Sequence, residues 1–65
     1  MQFDRNMLPL LGVTWHRFPT HAQARAFASW AERETRRDEY PCESFILRQD
    51  DADPSERWEV KVRNW

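Results

Sequence analysis

Thr20–Asp38, THAQARAFASWAERETRRD, decides the fold. At 100° per residue Ala24, Phe27, Ala28, Trp30 and Ala31 fall on one stripe. Arg25, Ser29, Glu32, Arg33 and Arg36 fall opposite, the pattern of an amphipathic helix. Alanines at 22, 24, 26, 28 and 31 supply strong helix propensity. Thr20 with Gln23 three residues later is a capping-box pattern, in which the hydroxyl and the amide each satisfy an orphan backbone donor. Pro19 favours an extended approach to that cap. Glu32 and Arg36 stand at the i,i+4 spacing in the better orientation, and Arg36 and Arg37 suit the negative end of the helix dipole. Pro41 disfavours helical backbone at Tyr40 and so stops the helix. The small alanines would let the backbone lie close to a sheet, with Phe27 and Trp30 as bulk. A structural role is expected of this helix in preference to partner binding.

Working outward, Leu10–Phe18 (LLGVTWHRF) reads as a strand, with Val13 and Trp15 on one side, Thr14 and His16 on the other, and Gly12 marking a bend. Residues 1–9 are expected as a loose arm or an edge strand. Downstream, Ser44–Gln49 (SFILRQ) reads as a second strand with Phe45 and Leu47 inward and Ile46 and Arg48 outward. Arg57–Trp65 is the cleanest: Trp58, Val60 and Val62 alternate with Glu59, Lys61 and Arg63 at a period of two. A polar connection, Asp50–Glu56, joins these two strands as an antiparallel hairpin. The order β-α-β-β predicts an α+β domain of two layers over residues 1–65, with a three-stranded mixed sheet, the third strand central, and the helix on one face. The expected core joins Val13, Trp15, Phe45, Leu47, Trp58, Val60 and Val62 to Ala24, Phe27, Trp30 and Ala31.

Sixty-five residues bury a smaller share of their surface than a larger domain does, and four Trp and four Phe partly compensate. A ligand cavity inside so small a core is not expected, so a site should lie on the surface. The net charge of −1 gives no global attraction to nucleic acid or to an anionic membrane. The single cysteine, Cys42, excludes an internal disulfide and a cysteine-built zinc site, and suits a reducing compartment. The run MQFDRNMLPLLGV lacks a basic leader and a long apolar stretch, so no signal peptide is expected. No segment approaches the roughly 18 apolar residues of a membrane helix. A cytoplasmic protein with no membrane association is the simplest expectation.

Chemistry-bearing patterns are sparse. His16, His21 and Cys42 could in principle supply a Cys–His pair, but no nucleophile motif surrounds Cys42. Asp50, Asp51, Asp53 and Glu56 offer hard-cation ligands, yet the spacing is not that of an EF-hand loop and Pro54 interrupts it. A phosphate loop is ruled out because Gly12 is the only glycine. No catalytic residue, metal site or cofactor is therefore assigned. One helix covers one sheet face, which leaves the other to solvent or to a partner. By the alternation above that open face carries Thr14 and Glu59 together with six candidate binding residues, His16, Ile46, Arg48, Lys61, Arg63 and Trp65. Tryptophan and arginine are frequent interface anchors. The expectation is a non-enzymatic interaction module, an adaptor or inhibitor, binding a protein partner or a second copy of itself. Single-stranded nucleic acid, stacked on Trp65 and held by Arg48, Lys61 and Arg63, is the alternative.

Overall fold

The structure, a computed structural model, describes residues 3–64. The elements are strand β1 (Val13–Phe18), helix α1 (His21–Glu34), strand β2 (Glu43–Arg48) and strand β3 (Trp58–Arg63). The sheet order is β1-β3-β2, so the third strand is central as expected. Both neighbouring pairs are antiparallel. The sheet is thus antiparallel rather than mixed: β1 and β2 run the same way but never touch as neighbours.

Helix α1 starts where the capping pattern puts it. Thr20 Oγ1 accepts from the Gln23 amide at 3.1 Å. Only half of the box is made, because the Gln23 side-chain oxygen is buried without a hydrogen-bond partner. The helix ends at Glu34, short of the expected Asp38. Thr35, 2% exposed, explains the stop. Its hydroxyl donates to the Ala31 carbonyl at 2.8 Å and accepts the Cys42 amide at 2.8 Å. This one side chain ties the helix C-terminus to the entry of β2. Glu32, expected to pair with Arg36, accepts from the Ser44 hydroxyl.

The apolar stripe is buried through Ala24, Phe27, Ala28 and Ala31. The helix lies chiefly over β2 and β3 and less over β1. The N-terminal arm fills the remainder. It forms a 3-10 turn at Arg5–Met7, capped by Asp4, whose side chain accepts the Asn6 amide at 2.9 Å. Arg5 donates to the Glu34 carbonyl at 3.1 Å and pairs with Asp38, so the arm is fastened to the negative end of the helix. Phe3 and Trp30 close an aromatic cluster around the fully buried Phe27, with ring centroids at 5.2 Å for Phe3, 5.3 Å for Phe18 and 5.8 Å for Trp30.

The facing of the two outer strands is the reverse of the expected one. In an antiparallel pair, residues directly opposite one another share a face. His16 and Ile46 both lie opposite Val60, which is completely buried under the helix. The helix side therefore carries Thr14, His16 and Phe18 of β1, and Ser44, Ile46 and Arg48 of β2. Val13, Trp15, Phe45 and Leu47, expected in the core, face the other way. Two anchors set this parity. Phe18 is buried against Phe27, and a period of two then turns His16 and Thr14 inward. Cys42 is buried and held by Thr35, so Ser44 and Ile46 follow it inward. The polar atoms that this brings to the covered side are satisfied by the arm. The His16 Nε2–H donates to the Met7 carbonyl at 2.7 Å, and Thr14 Oγ1 reaches the same oxygen at 3.4 Å.

Candidate functional site

The open face of the sheet is built in three rungs, each crossing β1, β3 and β2 in turn. They are Val13–Arg63–Glu43, Trp15–Lys61–Phe45 and Arg17–Glu59–Leu47. The middle rung sets a lysine between two aromatic rings. In the first rung Arg63 Nη2 pairs with Glu43 at 3.0 Å, and in the last Arg17 Nε pairs with Glu59 at 3.1 Å. Arg63 also lays its guanidinium over the Phe45 ring, 5.4 Å from the centroid. Lys61 has no ionic partner among the described residues. Charge on this face is thus closed into pairs at both ends and left open at the centre.

Large apolar side chains of both outer strands are exposed on this face. Trp15 is 57% exposed, Phe45 42% and Leu47 44%. Next to the Val13 end of β1 stand Leu10 and Leu11, 94% and 68% exposed. Their loop is held firmly. Gly12 takes φ +126, a backbone region that side chains rarely adopt, and Asn64 clasps the loop. The buried Asn64 side chain donates to the carbonyls of Pro9 and Leu10, at 2.5 and 2.7 Å, and accepts the Gly12 amide at 3.0 Å. Its own amide donates to the Gly12 carbonyl at 3.1 Å.

The six residues expected on this face separate. Lys61 and Arg63 lie on it. His16 and Ile46 lie on the covered face, for the parity reason given above. Arg48 also belongs to the helix side. Its guanidinium sits over the Trp58 ring at 5.5 Å and its Nε pairs with Asp50 at 2.6 Å. Trp65 falls outside the described residues. Sequence reasoning missed Trp15, Phe45 and Leu47, which it assigned to the core. Each outer strand carries apolar residues at both parities, Phe18 against Trp15 and Ile46 against Leu47, so no signal within the strands picks them out.

The remaining reactive groups are dispersed. His16 contacts Met7 and Phe27, His21 lies 4.7 Å from the Trp58 ring, and Cys42 is buried beside Thr35. In the acidic connection, Asp53 accepts the Ser55 amide and hydroxyl at 3.0 and 2.9 Å. The amide of Ser55, with its hydroxyl, holds the Asp53 carboxyl below the usual range. Among the described residues no three His, Cys, Asp or Glu side chains gather as metal ligands would. Nor is any described helix long and apolar enough to cross a membrane. No protein-family model matches the chain, and searches of curated proteins and of solved structures found no match either.

Proposed function

We propose that this protein is a non-enzymatic, cytoplasmic interaction module, an adaptor or inhibitor, that binds another protein through the open face of its sheet. The observation that carries this reading is the reversed facing of β1 and β2. Both outer strands turn Trp15, Phe45 and Leu47 to solvent while Thr14, His16 and Ser44 go under the helix. Apolar side chains on both outer strands, flanking a central row of charges, offer a protein partner apolar contact together with a charge pattern to match. Tryptophan at such a surface is the residue type that most often dominates binding energy. The Leu10–Leu11 loop, fastened by Asn64, adjoins the same end of β1 and would extend the contact with little ordering cost.

The test is affinity capture from the native host with the parent chain, Trp15→Ala, Leu47→Ala and a control on the outer helix surface, Arg25→Ala. The expected outcome is a partner retained by the parent and by Arg25→Ala and lost by the other two, all four remaining folded by circular dichroism. An identical captured set from all four would refute the reading. Single-stranded nucleic acid is the second reading, and the Trp15–Lys61 pair favours it because a base can stack on the exposed indole beside a cation. It predicts oligonucleotide binding that falls steeply with salt and quenches Trp15 fluorescence.

A further inference from the structure

Resting on the reading of the open face as a protein-docking surface, we propose what it recognises. The occupant is a partner segment that sets a single aspartate or glutamate between two apolar side chains, the carboxylate meeting Lys61 and the apolar groups meeting Trp15 and Phe45. Lys61 is half-buried at the centre of the face, on the middle strand, with a ring on either side. The other charges of the face are already matched, Arg17 to Glu59 and Arg63 to Glu43. What the face lacks is one negative charge, at its centre. An anion placed there leaves no charge unpaired when water is excluded. Trp15 and Phe45 stand on strands either side of β3, two interstrand spacings apart, so the two apolar groups need to be about 10 Å from one another.

The same arrangement disfavours the other occupants. A nucleic-acid strand carries a phosphate at every step and needs a track of open cations. Here Glu43 and Glu59 lie on the same face, in the rungs on either side of Lys61. A second copy docked face to face about a two-fold axis through the centre would bring Lys61 against its own equivalent, a like-charge contact that costs affinity.

The probe is a displayed library of random peptides, panned at low salt against the immobilised full chain. Enrichment of peptides with one acidic residue flanked by apolar ones is expected. For a selected peptide made synthetically, Lys61→Gln should weaken binding about tenfold, the scale of one charge-assisted contact, and Trp15→Ala at least as much. Replacing the peptide's acid by its amide should cost the same factor, and that amide peptide should bind the parent chain and the Lys61→Gln variant equally. Thermal melts of both variants exclude unfolding as the cause. Enriched peptides without an acid, lost on Trp15→Ala but indifferent to Lys61→Gln, would overturn the carboxylate and leave the docking face standing. No enriched peptide, or peptides indifferent to Trp15→Ala, would overturn both. Two further results would hand the face to another occupant and overturn the proposal. They are salt-sensitive binding of a labelled oligothymidylate, or a dimer by light scattering, either one abolished by Trp15→Ala.

Discussion

Neighbouring residues on β2 give the sharpest test of how this sheet is turned. If the strand faced as its own apolar pattern suggests, Leu47 would be core and Ile46 surface. The structure reverses them: Ile46 lies opposite the buried Val60 and packs against the core, whereas Leu47 is 44% exposed opposite Glu59. The perturbation is therefore a pair, Ile46→Thr and Leu47→Thr, the same new side chain one position apart. Threonine suits strand backbone, so neither change carries a large propensity penalty. At position 46 the exchange loses about one buried methylene, worth roughly 0.8 kcal/mol, and buries a hydroxyl whose desolvation costs on the order of 1–3 kcal/mol. Partial burial brings the sum to about 2 kcal/mol. At position 47 the hydroxyl stays in water and about 0.5 kcal/mol is lost. For a domain of this length 1 kcal/mol moves the melting temperature by roughly 4–8 °C. Ile46→Thr should thus melt about 8–16 °C below the parent, and Leu47→Thr about 2–4 °C below. Melts followed by circular dichroism at matched concentration decide it. A Leu47→Thr variant that loses as much as Ile46→Thr, or more, would refute the facing and with it the open-face site.

Three more outcomes follow from single side chains. Thr35→Val removes both hydrogen bonds that join the helix end to β2 and strands the buried Cys42 amide, a loss of about 2–3 kcal/mol in urea unfolding, while Thr35→Ser should retain most of the stability. Asn64→Ala releases the loop carbonyls and the Gly12 amide, lowering stability by about 2 kcal/mol and raising amide exchange at Leu11 and Gly12. Asp53 should titrate below an ordinary aspartate by NMR, and Ser55→Ala should raise its midpoint while the remaining amide bond keeps it depressed. Because the folded value is the lower one, the stabilisation that goes with it is present above the unfolded aspartate range, near pH 3.9, and disappears as the pH drops through the folded value.

Legibility in the sequence varied with the kind of signal. The helix was readable because cap, alanine content and stripe agree, and the central position of β3 because its alternation is unbroken over Trp58–Arg63. The end of the helix was not. Nothing in the residues from Thr35 to Asp38 announces that Thr35 turns inward to take the Ala31 carbonyl and the Cys42 amide. The facing of β1 and β2 was misread because each strand carries apolar residues at both parities, and period two alone cannot choose between Trp15 and Phe18 or between Leu47 and Ile46. The tie is broken from outside the strands, by the Phe3–Phe27–Phe18 cluster and by the Thr35–Cys42 link. The arm was unreadable for a related reason. Its 3-10 turn is short, and its place is set by tertiary contacts of Phe3, Arg5 and Met7.

That misreading bears on what the open face is for. A short domain has little stability to spare, and turning Trp15, Phe45 and Leu47 inward would turn Phe18, buried against Phe27, and Ile46 outward. The opposite choice brings a histidine and a threonine under cover, each a polar group that destabilises unless it finds a partner. Here the arm supplies one acceptor, the Met7 carbonyl, for both, and Arg5 fastens that arm to the helix end. The fold thus carries an added segment whose contacts compensate for the residues it turned inward. Burial of Phe18 against Phe27 and the Thr35–Cys42 link fix this facing, and the exposed tryptophan is its consequence. An indole 57% exposed in the middle rung of the open face is the ground on which Trp15 rather than the helix arginines is the first residue to substitute.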